Sequence, residues 1–501
     1  SKYDKFQPDL DETLWFIAGE WTLKHFKPSM DGSVESSIEE VLQEMDKSTS
    51  AGYPWSLDYL NKADAFENMP KVLDLFKDYW EKIALPDCKV VPIWTCSQKD
   101  ELRHVDKIAL DKNRTFTASP FEHSVSCNRL CLDQNNKFYR SWQRKWQTWN
   151  YVGASKFLGL WDAMVRRLKK HPNCYELDEV EYDSSLFRRA LEGQRDIRWE
   201  LFEEKMKTPE NRKRLNKLYH DIIHSLIVLE NGELVMKHTG NPSGSTNTIS
   251  DNTMILLRLF CYAWLVLCEE EGLEFDYDEF MSVVEAVLCG DDNTFSVANG
   301  YEWFNPISIG RVWKGIGITT KTPCETPRDI SECQFLSQSS VWDENLQCWL
   351  PSPDSDRILA SLAYGSKVDD VRWHYLRACA LRMDSFGNKE CRAIIKDYLI
   401  FLDQNYSDQL VGIAVVGKCS MDMRMIRSVW KSDAAIEALY IGEEGDVLNE
   451  IHLFKNNFVY WFDKDNFESL DFFQVNIMPR TAAQKAARRL RKMKKAAVLL
   501  L

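Results

Sequence analysis

Val283-Val-Glu-Ala-Val-Leu-Cys-Gly-Asp-Asp-Asn-Thr-Phe-Ser-Val297 decides how this chain folds. Val283–Cys289 is a mostly apolar run of strand length, Gly290-Asp291-Asp292-Asn293 is turn chemistry, and Thr294–Val297 returns as the partner strand. Asp and Asn favour turns anyway, so an ordinary hairpin explains this composition by itself. A second acidic strand end upstream changes the weight of the tandem Asp. Cys174–Leu177 is a short strand candidate leading into Asp178-Glu-Val-Glu-Tyr-Asp183, with Ser184-Ser185 and a helical pattern over Leu186–Leu191 behind it. Taken alone, Asp-x4-Asp also arises as a helix N-cap. Two acidic strand ends together offer the carboxylate oxygens that Mg²⁺ takes, leaving room for waters and substrate phosphates. Two such ions ~3.5–4 Å apart activate an attacking hydroxyl and stabilise the oxygen that leaves. Asp178 and Asp291 are expected to bridge the ions, with Asp292 in support.

Between the two acidic sites lies Gly240-Asn-Pro-Ser-Gly244, a loop, then Ser245-Thr-Asn-Thr248. Ile249 to Cys268 reads as one long helix with Asn252 in its first turn. Capping by Thr248 or Ser250 accounts for part of this composition. The small hydroxyl and amide groups also suit a sugar: Ser243, Thr248 and Asn252 are expected near a ribose, with Asp183 across from them. A 2′-hydroxyl both donates and accepts, so a site that selects RNA needs such groups.

Upstream, Lys99, Arg103, Lys107, Lys112 and Arg114 place five cations within 16 residues, interleaved with four acids. Mixed runs of this kind are ordinarily solvated faces. Thr115–Ser119 continues as a strand, which aims the cations along one edge, and a triphosphate needs several such cations.

At 501 residues the chain exceeds one ordinary core, and roughly three domains or subdomains are expected. Its net charge of −13 excludes a protein that is basic all over, so a nucleic-acid site must be a local basic channel. The fourteen Cys include no CxxC pair, which points to reduced thiols; Cys127 and Cys131 fit one helical turn. No signal-like segment opens the chain, and no run reaches the 18 apolar residues of a membrane span. Met254–Cys268 is too short and contains Arg258, so it reads as a buried helix. Asp354–Tyr364 and Asp369–Met383 read as further helices. From Arg480 onward the last 22 residues carry eight Lys/Arg and no acid, giving either a solvated helix or an arm for RNA, a partner or an anionic membrane.

Three other patterns carry less. Gly412-Ile-Ala-Val-Val-Gly-Lys418 has P-loop spacing, but Cys419 stands at the Ser/Thr position and the interior is apolar, so a buried strand or helix is expected. His220 and His224 have metal-ligand spacing without the glutamate of a zinc protease. Trp142, Trp146 and Trp149 fall on one helical stripe, which reads as core packing before base stacking.

In this order the segments resemble the RNA-dependent RNA polymerases of positive-strand RNA viruses, in the picorna-like group of picornaviruses, caliciviruses and astroviruses. Thr49-Ser-Ala-Gly-Tyr-Pro54 resembles the template-entrance motif, in which Thr49, Ser50 and Gly52 are the residues of interest. Lys99–Arg103 through Arg114 resembles the nucleotide-entrance motif; Asp178–Asp183, Ser243–Asn252 and Gly290–Asp292 match motifs A, B and C. Lys321, after Gly317-Ile-Thr-Thr, matches the motif D lysine used as general acid toward pyrophosphate, and Phe335-Leu-Ser-Gln338 resembles the primer grip. There are departures: Cys289 replaces the Tyr common before Gly-Asp-Asp, Gln338 stands where a basic residue is frequent, and Ser1 is not the N-terminal Gly of picornaviral members. The length leans toward an astrovirus-like source.

The resemblance implies an α+β right-hand fold, with an antiparallel palm sheet backed by helices and a mainly helical thumb. It divides the chain into fingers (1–170), palm (171–190), a fingers insertion (191–237), palm again (238–345), thumb (346–479) and a basic tail (480–501). It implies template-directed addition of ribonucleoside triphosphates to an RNA 3′ end with two Mg²⁺ or Mn²⁺ ions. It further implies RNA template and product strands, a protein primer and other viral replication proteins as partners, and membrane-associated complexes in the host cytoplasm. Two rivals remain: a reverse transcriptase, which shares the palm, and a non-catalytic RNA-binding or assembly protein that uses the basic tail. The polar Asp183/Asn252 pair argues against the first. The second gives no reason for ordered carboxylates.

Overall fold

The computed structural model describes residues 9–441 except 104, 110–113, 144–146, 322–325, 365–369, 417–418 and 430–432. Lys112, Trp146, Lys418 and the basic tail therefore lie outside the described residues. The chain divides into two compact units, one of residues 1–155 and 162–341, the other of 156–161 and 342–501.

The first unit is built around a three-stranded antiparallel sheet. Asp292–Val297 is its central strand, flanked by Asn173–Leu177 on one side and Val284–Cys289 on the other. Nearly every residue of the Val284–Cys289 and Asp292–Val297 strands is buried. Both faces of this hairpin are covered, so the alternation of a half-exposed strand is absent. The hairpin turn is tighter than its composition suggests. Cys289 pairs directly with Asp292, leaving only Gly290-Asp291 at the tip. Asp292 and Asn293 already belong to the strand.

Against this sheet packs the helix Thr248–Glu271, buried over almost its whole length. Its ring Phe260 meets Phe295 of the central strand edge-to-face at 5.3 Å, and Trp313 donates its indole N–H to Leu259 O at 3.0 Å. A helix apolar all round is a core helix. It ends where Gly272 adopts φ +68°, the left-handed cap that glycine takes without strain. The helix is long and apolar enough for a membrane span, but 94% of its most apolar window is buried within the protein. Its one cation, Arg258, donates to Trp15 O at 2.7 Å and lies over the Trp15 ring. The helices Glu12–Met30 and Arg188–Glu200 make room for that guanidinium with Gly19 and Gly193; a Cβ on Gly193 would sit 2.0 Å from Arg258 Nη1.

Two expected helices differ. Leu186 and Phe187 are extended, so the predicted helix over Leu186–Leu191 becomes a short turn, Tyr182–Ser185, and a separate helix from Arg188. Trp142 and Trp149 are buried, as core packing requires, yet the preceding helix ends at Arg140. Residues 149–151 instead run extended beside Val284–Cys289: Tyr151 N–H donates to Leu288 O at 2.9 Å, and Leu288 N–H to Trp149 O at 2.8 Å. Large aromatics satisfy a core from an edge segment as well as from a helix.

A second sheet joins parts of the chain far apart in sequence, in the order Thr115–Ala118, Ile93–Gln98, Leu226–Val228, Leu234–Met236. Cys127 and Cys131 lie buried in the helix Phe121–Arg140, and the described cysteines are free thiols. The second unit carries the helices Ser355–Tyr364, Val371–Asp384 and Lys389–Asn405. In place of a P-loop, Ile413–Val416 pairs with Cys419–Asp422 as a hairpin.

One buried ion pair fixes the start of the long helix. Arg198 and Asp251 are both 0% exposed, with Nε donating to Asp251 Oδ1 at 2.8 Å. Tyr219 donates to the other oxygen at 2.8 Å, and Gln134, Asn135 and Ser250 accept from the guanidinium. The pair thus ties three surrounding helices to the turn that carries Asn252. Asp251→Ala leaves Arg198 as an uncompensated buried charge and is expected to destabilise the unit by about 3–5 kcal/mol, read from chemical denaturation.

Candidate functional site

Asp178 immediately follows Leu177, whose ladder partner is Asn293. Asp178 and Asp292 are thus each one residue beyond that last pair, with Asp291 next to Asp292 at the hairpin tip. Opposed Cα atoms in an antiparallel ladder are about 4.5–5.5 Å apart. The two acidic strand ends read from the sequence are therefore neighbours, and all three aspartates are exposed. The hairpin tip rests on the long helix. Gly290 takes φ +69°, and its N–H donates to Thr253 Oγ1 at 2.8 Å. A side chain at position 290 would also press on Ile249, at 3.0 Å.

Two residues of this cluster escape a reading of the sequence, Glu179 and Asn293. Glu179 is buried, whereas Asp178 beside it is exposed. Burial, reinforced by the carboxylates of Asp291, Asp178 and Asp292, raises the Glu179 acid well above the usual carboxylate range. Glu179 Oε1 accepts from Asn293 Nδ2 at 3.3 Å, and its Oε2 has no hydrogen-bond partner. Four carboxyl groups with one orphaned oxygen form a donor set that a divalent cation balances, so the residues present fit such an ion. Among the described residues no group of three or more His, Cys, Asp or Glu is placed to hold a metal ion by itself; Mg²⁺ ordinarily completes its shell with waters and substrate phosphates. The Cys289 thiol, pushed up to about 12 by burial and by Asp292 and Asp291, is held protonated and is no nucleophile.

Lys321 reaches the same point. Residues 319–321 run antiparallel to 178–180: Val180 N–H donates to Thr319 O at 2.8 Å and Lys321 N–H to Asp178 O at 2.6 Å. The Lys321 ammonium donates to both Asp178 oxygens, at 2.7 and 2.6 Å, on an exposed surface. A basic group matched to the motif D lysine thus lies directly on a carboxylate matched to motif A.

The residues expected near a ribose also converge in part. Asn252 Nδ2 donates to Asp183 Oδ1 at 2.5 Å, and Asn241 Nδ2 donates to Asn252 Oδ1 at 2.9 Å. Tyr182 OH donates to Asn252 O at 3.0 Å. Asn241, quoted only as loop sequence above, is thus part of the chain of amides. Thr248 Oγ1 donates to the loop, within reach of Pro242 O at 2.8 Å and Ser245 O at 2.9 Å, so its proton serves the loop backbone. The expected side-chain capping is absent here, since the N-cap is Asn247 without a side-chain capping bond. Ser243 is half-buried in the same loop. Gly244 presses backbone to backbone on Thr117, where a Cβ would lie 1.8 Å from Thr117 O. Underneath, the buried Lys237 donates to Ile223 O at 3.0 Å and Gly240 O at 2.7 Å, anchoring the base of the loop.

That contact with Thr117 brings the loop to the strand Thr115–Ala118, which directly follows Arg114. Arg114 Nη1 lies 3.5 Å and Arg103 Nε 3.8 Å from opposite oxygens of Glu101, so the two cations share one acid. Lys99 N–H donates to Arg114 O at 2.9 Å, and Lys107 sits on the exposed helix Val105–Ala109. Lys112 is outside the described residues. In the Thr49–Pro54 segment, Thr49 donates to Asp46 O at 2.9 Å and Ser50 Oγ accepts from Gly52 N–H at 3.1 Å. Gly52, at φ +71°, abuts Ser119 closely enough that a Cβ would meet its carbonyl at 2.4 Å. His224 and His238 face each other with Nδ1 atoms 3.1 Å apart, but burial and then the charges of His220, Arg188, His238 and Lys237 lower His224, an environment unfavourable to a cation.

The chain matches the family described as "Viral RNA-dependent RNA polymerase" over residues 3–403. The genome polyprotein of Plum pox potyvirus (strain El amar) is 28% identical over 348 residues, covering 67% of this chain and 22% of that polyprotein. Genome polyprotein 1 of Barley mild mosaic virus (strain Na1) is 27% identical over 383 residues, covering 76% of this chain and 16% of its own length. The chain thus spans less than a quarter of these relatives. A solved Sicinivirus 3Dpol RNA dependent RNA polymerase superposes with a TM-score of 0.66 at 17% identity, over 85% of this chain and 86% of its own. The α+β right-hand fold expected from the sequence is the fold these two chains share.

The exposed Lys321–Asp178 pair contributes little to folding, since such pairs are worth about 0–1 kcal/mol. Lys321→Leu is therefore expected to shift the unfolding free energy by less than about 1 kcal/mol, measured by urea titration.

Proposed function

The chain belongs to the viral RNA-dependent RNA polymerase family, and from that premise we propose how its own residues divide the work of adding ribonucleotides to an RNA 3′ end. Asp178 and Asp291 would hold two Mg²⁺ or Mn²⁺ ions, with Asp292 assisting, and the ions would supply activation of the 3′-hydroxyl and stabilisation of the leaving pyrophosphate. The observation that carries this reading is the register pairing Leu177 with Asn293, which makes neighbours of the two acidic strand ends.

Asp183 and Asn252 sense the ribose as a hydrogen-bonded pair, with Ser243 and Thr248 lining the same loop. The pair accepts from and donates to a 2′-hydroxyl, which a deoxyribose lacks. Lys99, Arg103, Lys107, Lys112 and Arg114 draw in the triphosphate; Glu101 keeps Arg103 and Arg114 together. Lys321 gives a proton to the departing pyrophosphate oxygen. Its ammonium must leave Asp178 to do so, and the backbone pairing of 319–321 with 178–180 keeps it within reach. Thr49, Ser50 and Gly52 guide the template strand into the site.

In domain terms, residues 1–170 and 191–237 act as fingers, 171–190 and 238–345 as palm, 346–479 as thumb and 480–501 as a basic arm toward RNA or replication partners. A polymerase of this family takes RNA and ribonucleoside triphosphates as its partners. A protein primer, other viral replication proteins and attachment to host membranes in the cytoplasm belong to the proposal.

RNA-templated primer extension tests the reading. Wild-type protein with Mg²⁺ or Mn²⁺ is expected to incorporate ribonucleotides in preference to deoxynucleotides, and Asp291→Ala to abolish extension while RNA binding persists. Preferential use of deoxynucleotides would favour a reverse transcriptase, and RNA binding without any extension a non-catalytic role. Lys321→Leu is expected to slow single-turnover chemistry about 10²–10⁴-fold with nucleotide affinity nearly unchanged, as for loss of a general acid. A mutant that loses affinity alone contradicts that role.

A further inference from the structure

Asp178 and Asp291 both lie just past the last paired residues of their strands, where the backbone ladder no longer fixes their separation. One buried side chain spans that gap. Asn293 Oδ1 accepts from Leu177 N–H at 3.2 Å, and its Nδ2 lies 3.1 Å from Leu177 O. The same Nδ2 lies 3.1 Å from Asp291 O and 3.3 Å from Glu179 Oε1. The amide oxygen thus accepts from the residue before Asp178, while the two N–H groups of Nδ2 are shared among three acceptors within reach: the Leu177 carbonyl, the Asp291 carbonyl and the Glu179 side chain. Its orientation is fixed by chemistry: flipped, the NH₂ would face the Leu177 N–H donor.

We propose that Asn293 is the positioning residue of the metal site, a hydrogen-bonded brace that sets the spacing between Asp178 and Asp291. The inference rests on the reading of those two aspartates as metal ligands. Asn293 touches neither ion nor substrate; it acts through the segments that carry the ligands. Residue types explain the choice. Leu would fill the same buried volume and leave the Leu177 peptide and the Asp291 carbonyl without this partner. Asp would keep the acceptor, lose the donor and add a charge beside four carboxyl groups. Partners that orient metal ligands from behind are typically worth about 10–100-fold in metal affinity.

Mn²⁺ binding to the full chain, followed by electron paramagnetic resonance without nucleotide, tests the brace. Asn293→Leu is expected to weaken Mn²⁺ about tenfold or more, and to lower kcat while KM for nucleotide stays within about twofold, the split expected when ligand spacing rather than substrate binding is lost. Asn293→Thr, which keeps one hydrogen-bonding group on a strand-favouring residue, is expected to fall between Leu and wild type, and it serves if the Leu variant fails to fold. Mn²⁺ affinity of either folded variant within about twofold of wild type, with only the melting temperature lowered, overturns the proposal. Asp291→Asn separates the two levels of the argument. If it leaves Mn²⁺ affinity intact, the metal-site reading fails; if it abolishes binding while Asn293→Leu does not, only the brace fails.

Discussion

The pairing of Asn173–Leu177 with Asp292–Val297 is the constraint from which the rest of the site follows. A side-chain period of two makes register an all-or-none matter. A slip by one residue would send the buried Tyr175 and Leu177 to the opposite face and move Asp178 away from the Asp291-Asp292 tip. The register is held by burial: Phe295 meets Tyr175 across the strands in a tilted contact at 5.4 Å and Phe260 of the long helix edge-to-face at 5.3 Å. The apolar core thus sets the position of charges that are themselves exposed.

The long helix serves this arrangement twice. Its body covers the sheet, and its first turns touch two segments of the site: Thr253 accepts from the hairpin tip, Asn252 bonds Asp183, and Asn252 O accepts from Tyr182. Those turns are in turn fixed by the Arg198–Asp251 pair. Buried charge here stabilises geometry more than it stabilises the fold, since its desolvation offsets much of its attraction.

Much of this was legible in the sequence. The strands, the long helix and the order of acidic segments follow from apolar runs and turn residues between Cys174 and Cys268 and around Gly290. Asp183 was expected across a ribose from Asn252; the hydrogen bond directly between them is what the structure adds. What the sequence hid depends on tertiary context. Glu179 looks like one more surface acid in an acid-rich stretch, and only the fold buries it. Asn293 looks like turn chemistry until the tip proves to be two residues long and Asn293 falls in the strand. The Trp142–Trp149 stripe shows the reverse error: helical spacing promised a helix, but burial of a ring is satisfied equally well from extended backbone.

The central claim is that Asp178 and Asp291, far apart in sequence, serve one metal site, and a double-mutant cycle on Mn²⁺ affinity tests it most directly. The account predicts strong coupling: Asp178→Asn and Asp291→Asn each remove most of the binding free energy, and the double variant loses little more than either alone. Independent, additive losses would mean that the two carboxylates do not share their ions.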